Sequence, residues 1–345
     1  MGSVAWLPVF GAFIVALALT RRFLSPGSGL YILDHPNERS LHAVPVPRTG
    51  GVAIGAATAL GAVAAAWFAP PPPGLAWAGI GAVLLAGVGF LDDRFGVGPS
   101  KRLLVQLAAA GLAAVGGLWI KWLALPGASL VLAAPLGITV TVLFVVWFVN
   151  LYNFMDGMDG FAGGMAAFGF GTLAVIGAVG HEPAFASLNG VVAAAAAGFL
   201  VYNFPPARIF MGDVGSSVLG YLAAVSSLWG VRAGLFGIWV PVLIFSPFIV
   251  DATLTLAGRL LQGERIWEAH RSHYYQRLVQ LGWGHRRTVL TEYGLMAAAA
   301  LCAVSSGFLS AVAQWAMLGF WVAAYGVIWV HVERIKRRGK GVSHR

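Results

Sequence analysis

The segment Asn150-Leu151-Tyr152-Asn153-Phe154-Met155-Asp156-Gly157-Met158-Asp159-Gly160 lies between two long apolar runs, residues 131–149 and 161–180. It places two acids and two amides within eleven residues of a chain that is 59% hydrophobic and only 10% charged. Polar groups this concentrated at the edge of a bilayer are costly unless they coordinate, pair or react. The segment therefore indicates both a membrane boundary and a candidate site at that boundary.

Apolar runs of this kind recur along the whole chain, whose mean hydropathy is +0.80. Runs of about 17–22 residues allow a helix to cross a hydrocarbon core of ~30 Å. The sequence lacks the alternating segments of about ten residues that transmembrane strands need. We therefore predict an all-α polytopic membrane protein with ten or eleven transmembrane helices, over residues 4–20, 50–68, 75–91, 103–120, 131–149, 161–180, 184–203, 214–230, 236–257, 289–308 and 312–330.

The distribution of charge predicts how these helices are oriented. If the loop 21–49 is cytoplasmic and the helices alternate, 20 of the 22 Lys and Arg residues face the cytoplasm, and only Lys121 and Arg232 do not. This asymmetry follows the positive-inside rule. The net charge of +9 is thus explained by topology and by anionic lipid head groups, and not by nucleic acid. We expect one integral-membrane domain, residues 1–333, and a flexible basic cytoplasmic tail, residues 334–345.

Acidic and amide side chains recur where the predicted helices reach the cytoplasmic face. Their oxygen atoms are hard ligands, which suit Mg²⁺ or Mn²⁺ rather than zinc. Magnesium typically takes one or two carboxylates together with substrate phosphates and water, so some of these acids have other work. Each acid by itself also fits a helix cap or a solvated loop charge. The candidates for a metal site are Asp92, Asp93, Asn153, Asp156, Asp159 and Asp213.

Two local geometries are open for the segment 150–160. Asp156 and Asp159 share a helix face if the preceding helix continues or the next one begins early. Gly157 and Gly160 instead favour a tight turn that brings the backbone close to a ligand. The sequence by itself does not decide between these geometries.

Other polar segments suit an anionic ligand. The segment 212–217, Gly-Asp-Val-Gly-Ser-Ser, opens a predicted helix, whose N–H groups and dipole favour an anion, although it also fits a plain cap. Arginine and histidine in the loop 258–288 and the segment 39–48 are partners that a diphosphate requires. The same charges also fit a basic face that sets topology. Asp251, inside a predicted helix, pairs with Arg259 or lines the site.

The motifs converge on a known family. The chain is similar to the polyprenyl-phosphate N-acetylhexosamine-1-phosphate transferases from about residue 34 to residue 287. That family includes phospho-N-acetylmuramoyl-pentapeptide transferase and the enzymes that start O-antigen and teichoic-acid synthesis. The resemblance rests on five motifs in one order: Pro45-Val46-Pro47-Arg48-Thr49-Gly50-Gly51, Leu91-Asp92-Asp93, the segment Asn150–Gly160, Phe210-Met211-Gly212-Asp213-Val214-Gly215-Ser216, and His270-Arg271-Ser272-His273.

The resemblance implies a magnesium-dependent transfer, with Mn²⁺ as the other candidate cofactor. A lipid phosphate oxygen attacks the β-phosphorus of a UDP-sugar, and UMP leaves. The expected partners are the UDP-sugar donor, polyprenyl (undecaprenyl) phosphate, membrane lipids and, as one compatible assembly, a second copy in a homodimer. The expected location is the bacterial inner membrane, with a multi-pass chain and an active site on the cytoplasmic face.

Carried over residue by residue, the motifs imply Asp213 as the main magnesium ligand, with Asn153 beside it. Asp92 and Asp93 resemble the pair that handles the lipid phosphate, by deprotonating it or by positioning it. A phosphate monoester is largely ionised at neutral pH and needs little help from a base. The resemblance also implies catalytic roles for Asp156, Asp159 and Lys101 and substrate-binding roles for His42, Arg48, Asn150, Asn153, Gly212, His270, Arg271 and His273.

The late motif departs from the commonest family pattern. Many members have His-x-His-His, whereas this chain has His270-Arg271-Ser272-His273. That form resembles the subgroup that starts O-antigen assembly with 6-deoxy-N-acetylhexosamine donors. It therefore leaves the donor open between a plain and a 6-deoxy N-acetylhexosamine.

Two other function classes fit a polytopic chain with intramembrane acids. A secondary transporter would place its charged groups near the midplane, accessible from both sides. An inactive scaffold of the same fold would have no need of the acids in all three clusters. The predicted clustering of acids at one face counts against the transporter, and the intact acids in all three clusters count against the scaffold.

Overall fold

The computed structural model describes residues 6–36, 44–264 and 271–342, with side chains up to Arg334. His42 and His270, two predicted substrate-binding residues, lie outside the described residues. Within the described ranges the chain forms thirteen α-helices: α1 (Leu7–Phe23), α2 (Gly50–Phe68), α3 (Leu75–Phe95), α4 (Pro99–Val115), α5 (Ala134–Met155), α6 (Phe161–Val179), α7 (Pro183–Asn203), α8 (Gly212–Arg232), α9 (Trp239–Ile244), α10 (Ser246–Leu261), α11 (Tyr274–Leu278), α12 (Gly284–Ser306) and α13 (Ala311–Val342). A π-helical turn, Val279–Trp283, joins α11 to α12.

Two short antiparallel ladders complete the secondary structure of these residues. β1 (Leu33–Asp34) pairs with β2 (Val46–Pro47), with Asp34 opposite Val46. β3 (Trp122–Leu125) pairs with β4 (Ala128–Val131). Both ladders are too short to cross a bilayer, which a strand does in about 9–11 residues.

Eight segments of the described chain are long and apolar enough to cross a membrane. They comprise α2, α3, α5, α6, α7, α8, the stretch from α11 through α12, and α13 up to Arg334. Three predicted spans are not among them, because α1 and α4 have 17 residues each and the run at 236–257 is divided at Phe245. The all-α polytopic fold is confirmed, and the number of ten or eleven spans stays a prediction.

Three elements differ from the sequence prediction. α4 ends at Val115 and not near residue 120, because the chain turns at Gly117, whose φ is +83°, and then forms the β3–β4 hairpin. A positive φ is a conformation that glycine adopts readily and other residues rarely do. α10 begins immediately after Phe245, with Pro247 in its first turn. α13 continues as a helix to Val342, through residues that were expected to form a flexible tail.

α8 lies at the centre of the bundle, where it packs against α2, α3, α5, α6 and α7. Its sequence permits this because small residues let neighbouring backbones approach closely. A Cβ atom added to Gly220 would lie 2.4 Å from the carbonyl oxygen of Phe148 in α5. The beginning of α8, at Gly212, is therefore held by several helices at once, and it is this end that carries the predicted site.

Candidate active site

The beginning of α2 is joined through backbone groups to the residues immediately before α8. The amide of Gly50 donates to the carbonyl of Phe210 at 3.0 Å, and that of Gly51 donates to Met211 at 2.7 Å. A Cβ atom on Gly51 would lie 2.2 Å from the amide nitrogen of Gly215. Two motifs more than 150 residues apart in the sequence are thus in direct backbone contact. Glycine is needed there because the two backbones approach so closely.

Asp93, at the end of α3, accepts hydrogen bonds from the first turn of α8. Its carboxylate receives the amides of Asp213 at 3.1 Å and Val214 at 3.2 Å, and the residue is 3% exposed. An acid at a helix N-terminus satisfies free N–H groups and complements the helix dipole. Gly212 has a φ of +72°, and a Cβ there would lie 2.8 Å from Oδ2 of Asp93. Asp93 therefore holds the beginning of α8 in place.

Arg48 lies beside this carboxylate. Its Nη2 donates to the carbonyl oxygen of Asp93, and its Nε lies 3.5 Å from Oδ1 of the same residue. Its Nη1 lies 3.6 Å from Oδ1 of Asp34. The predicted substrate-binding arginine thus supplies positive charge to two acids from separate elements.

Asp92 faces a different set of groups from its neighbour. Its Oδ1 accepts from the amide of Val97 at 2.6 Å, and its Oδ2 accepts from Nη1 of Arg102 at 2.8 Å. Asp92 and Asp93 are both electrostatic neighbours of the carboxyl group of Asp213. Both members of the predicted acid pair therefore lie near the predicted metal ligand.

The two asparagines of the segment 150–160 have separate partners. Oδ1 of Asn153 accepts from the hydroxyl of Ser216, one turn into α8. Asn150 donates to Oε1 of Gln106 at 2.8 Å and to the carbonyl of Val146 at 2.8 Å. Asn153 therefore contacts the beginning of α8, whereas Asn150 joins α5 to α4.

The structure resolves the geometry around Asp156 and Asp159. α5 ends at Met155, Asp156 is its C-cap, and α6 begins at Phe161 after Gly160, whose φ is +75°. The two acids therefore do not share a helix face, and the tight turn is the correct alternative. Both of them lie in the connection between the two helices.

Each carboxylate oxygen of Asp159 has a partner within the fold. Its Oδ2 accepts from the amide of Ala207 at 2.9 Å, and its Oδ1 lies 3.1 Å from Nδ1 of His285. Asp156 instead faces the other acids. Burial raises its pKa well above the ordinary value, and nearby carboxylates raise it further, namely Asp213, Asp93 and Asp34.

Sequence reasoning missed two residues that hold this turn. Asn203 accepts from the amide of Gly160 at 3.0 Å and donates to the carbonyl of Ile209 at 2.8 Å. The hydroxyl of Tyr293 donates to the carbonyl of Gly160 at 2.7 Å. His285, predicted as one of the basic residues of the loop 258–288 that suit a diphosphate, instead lies against Asp159 in this turn. A polar residue at the end of an apolar helix, such as Asn203, was the available signal.

His273 lies at the beginning of α11 and is 2% exposed. Its Nδ1 lies 3.1 Å from Oδ1 of Asp251, and its ring stacks on Phe154 with the ring centroids 6.4 Å apart. Asp251 therefore meets His273. Arg259, the predicted partner of Asp251, donates to Glu264 at 2.7 Å.

Two other predicted residues lie at the periphery. The Lys101 side chain is exposed in the first turn of α4. Arg271 is exposed, and its backbone carbonyl accepts from Gln280 at 3.1 Å. The structure thus brings together Asp92, Asp93, Asp213, Asn153, Gly212 and Arg48, with Asp156 facing them.

The oxygen atoms around the beginning of α8 are chemically suited to Mg²⁺ or Mn²⁺. Within residues 6–36, 44–264 and 271–342, however, no three Asp, Glu, His or Cys side chains converge closely enough to hold an ion by themselves. Magnesium in phosphate-handling sites commonly takes one or two carboxylates and completes its shell with substrate phosphates. The residues therefore fit an ion that binds together with a phosphate-bearing substrate, and Asp213 and Asn153 stay the predicted ligands.

The fold and the site define a multi-pass membrane protein with an acidic, arginine-flanked site at one end of its helix bundle. Comparison with known proteins is consistent with this class. A family model described as "Glycosyl transferase family 4" matches residues 75–231. The chain is 34% identical over 292 residues to the "Probable undecaprenyl-phosphate N-acetylglucosaminyl 1-phosphate transferase" of Bacillus subtilis (strain 168), covering 82% of this chain and 80% of the relative.

Two further relatives extend the comparison. The "Decaprenyl-phosphate N-acetylglucosaminephosphotransferase" of Mycobacterium tuberculosis (strain H37Rv) is 32% identical, covering 82% of this chain and 78% of the relative. The "Undecaprenyl-phosphate alpha-N-acetylglucosaminyl 1-phosphate transferase" of Yersinia pestis is 27% identical, covering 85% and 82%. The chain belongs to glycosyltransferase family 4, the polyprenyl-phosphate N-acetylhexosamine-1-phosphate transferases, as its motifs predicted.

Proposed function

We propose that the protein transfers N-acetylhexosamine 1-phosphate from a UDP-sugar to a polyprenyl phosphate such as undecaprenyl phosphate. An oxygen of the lipid phosphate forms a bond to the β-phosphorus of the donor. The bond from that phosphorus to the bridging oxygen breaks, and UMP leaves with the bridging oxygen. The observation that carries this proposal is the convergence of Asp93, Asn153 and Arg48 on the beginning of α8, which carries Asp213, with Asp92 and Arg102 beside it.

Charge and position account for most of phosphoryl-transfer catalysis. A divalent cation held by Asp213 and Asn153 would neutralise diphosphate charge as UMP leaves. Arg48 and Arg102 are held in place by Asp93 and Asp92, so their guanidinium groups are oriented before a phosphate arrives. Fixed donors of this kind stabilise developing charge without reorganisation.

The two members of the Asp pair divide the work in this proposal. Asp93 is buried and accepts from two amides of α8, so it keeps the start of that helix in position. Asp92 is held near Asp213 by the amide of Val97 and by Arg102, and in this proposal it is the acid of the pair that meets the lipid phosphate. Because the phosphate is already ionised at neutral pH, positioning it is the main task of Asp92.

We infer that the site opens to the cytoplasm of a bacterial inner membrane. The excess of Lys and Arg on the segments that carry the motifs supports this orientation. There the soluble donor reaches the site from water and the lipid phosphate from the inner leaflet. The reaction is then the first membrane step of a cell-envelope polysaccharide, with O-antigen as the pathway that the late motif favours.

The proposal is tested with the purified chain, undecaprenyl phosphate and a panel of UDP-sugars that includes N-acetylhexosamines and their 6-deoxy forms. We expect Mg²⁺-dependent release of UMP, lost on chelation and restored by Mg²⁺ or Mn²⁺. Asp213→Asn and Asp92→Asn should each abolish release while the folded protein stays in the membrane. The matched control is Glu182→Gln, an acid outside the candidate site at the beginning of α7.

Near-normal turnover in Asp213→Asn or Asp92→Asn would remove that residue from the mechanism. Transport of a labelled solute by reconstituted protein, without UMP release from any donor, would replace the transferase by a transporter. Absence of both activities from the folded wild-type chain would identify an inactive scaffold. The donor that is turned over fastest decides between the plain and the 6-deoxy sugar.

A further inference from the structure

Asp251 is a buried acid in α10 whose carboxylate receives an unusual number of donors. Its Oδ1 accepts from the hydroxyl of Thr255 at 3.1 Å and the amide of Tyr274 at 3.0 Å, and its Oδ2 accepts from the amide of Tyr275 at 3.0 Å. Nδ1 of His273 lies 3.1 Å from Oδ1, and the acid side chain is 9% exposed. A buried carboxylate is costly unless it is hydrogen-bonded, and this one is satisfied almost entirely by the beginning of α11.

These contacts fix the position of the histidine ring. The carboxylate of Asp251 contacts the ring of His273 and accepts from the two backbone amides that follow it. Asp251 therefore sets the direction from which the ring leaves α11.

The beginning of α11 is also pressed against the end of α5. The ring of His273 stacks on Phe154 at an interplanar angle of 25°. The hydroxyl of Tyr275 donates to the carbonyl of Phe154 at 3.3 Å, and a Cβ atom on Gly157 would lie 2.3 Å from that hydroxyl. The segment contacted is the one that carries Asn153 and Asp156.

We propose that Asp251 is a positioning residue for the late motif, which fixes the ring of His273 and the first turn of α11 against the segment 153–157. In this role it has no contact with the substrate and acts on the donor diphosphate through His273. The inference rests on the proposed transferase function. The chain of contacts runs from α10 through Asp251 and His273 to the end of α5, so α10 positions a side chain of the site without supplying a substrate ligand.

A double-mutant cycle on UMP release tests this role. Asp251→Asn keeps the size of the side chain but replaces one accepting carboxylate oxygen by an NH2 group, which can only donate. We expect a fall in kcat of about 10–100-fold, typical of losing a partner that orients a functional histidine. His273→Ala should give a similar loss. In the His273→Ala background, Asp251→Asn should change kcat by less than about 2-fold, because the two residues act as one unit.

Two further variants separate positioning from general stability. Thr255→Val removes one donor to the same carboxylate but leaves His273 in contact, so its loss should be far smaller than that of Asp251→Asn. Asp251→Glu keeps a carboxylate and should recover part of the lost kcat. If Asp251→Asn does not fold, as judged by thermal unfolding in detergent, the cycle is run with Asp251→Glu in its place.

Hydrogen exchange supplies a readout that does not depend on turnover. Exchange of the peptide 271–283, which contains the amides of Tyr274 and Tyr275, should rise in Asp251→Asn and stay near wild type in Thr255→Val. Losses that multiply in the double mutant, or unchanged exchange in Asp251→Asn, would overturn the inference while the active wild type keeps the proposed function. A wild type that releases no UMP would instead overturn the proposed function, whatever the exchange result.

Discussion

Asp156 and Asp159 belong to one short motif but have different surroundings in the fold. Both oxygens of Asp159 meet partners, the amide of Ala207 and the ring of His285. Asp156 instead has the carboxylates of Asp213, Asp93 and Asp34 among its electrostatic neighbours. Asp159 therefore holds the turn between α5 and α6, whereas Asp156 lies near the other acids of the candidate site.

This difference predicts opposite behaviour for two variants. Asp159→Ala leaves the amide of Ala207 without its acceptor, which should lower the free energy of unfolding by about 1–3 kcal/mol. Asp156→Asn should leave stability near wild type and abolish most UMP release. Thermal unfolding in detergent and the UMP assay, run on both variants, measure the two effects. The assignment is wrong if Asp159→Ala unfolds at the wild-type temperature while losing all turnover.

At the scale of elements, the contact between α2 and α8 depends on glycine. Gly51 and Gly215 face each other so closely that a Cβ on Gly51 would lie 2.4 Å from the Cα of Gly215. Gly55, one turn further along α2, has open space where its Cβ would be. Two glycines of the same helix thus have different functions, one in backbone contact and one without a packing neighbour.

The variants Gly51→Ala and Gly55→Ala form a matched pair that tests this contact. Gly51→Ala forces α2 and α8 apart and should destabilise the protein by about 1–3 kcal/mol, as overpacking does. It should also reduce UMP release, because α8 carries Asp213. Gly55→Ala should be neutral or stabilising by about 0.5–1 kcal/mol, since alanine favours helix over glycine. Equal stability of the two variants, measured by thermal unfolding, would contradict the close contact.

The bounds of a helix were predicted well where a long apolar run covers the whole helix. They were predicted poorly where a turn ends the helix inside such a run. The runs at 50–68, 75–91 and 161–180 became α2, α3 and α6 with close to the predicted bounds. The run at 103–120 ended early, because the turn at Gly117 and the β3–β4 hairpin depend on local backbone geometry. Apolar composition reports burial in lipid and carries little information on where a turn begins.

At the scale of the whole molecule, the distribution of charge predicts the orientation of the protein in the membrane. The predicted cytoplasmic segments carry almost all Lys and Arg, and the structure joins the motifs of these segments at one end of the bundle. A single missed helix would place every later loop at the opposite end of the bundle. The motifs lie at the same end, which agrees with the predicted alternation of the helices that carry them.

Single cysteines can measure this orientation directly. The chain has one cysteine, Cys302, so a Cys302→Ser background accepts one probe at a time. In intact cells, Lys121→Cys should react with a membrane-impermeant maleimide. Ser100→Cys should react only after permeabilisation, because the positive-inside asymmetry places residue 100 in the cytoplasm. Labelling of both sites from the same side would refute the predicted alternation.

The sequence by itself determined the class of the protein, because a bilayer satisfies no backbone group and long apolar runs must therefore be helical. It also identified the acids of the candidate site, since charges at a membrane boundary stand out in an apolar chain. Only the tertiary structure decided which groups each acid contacts. Asp93 caps a helix 120 residues away, and Asp251 orients His273. Such hydrogen bonds join residues distant in the chain, so local composition and periodicity do not encode them.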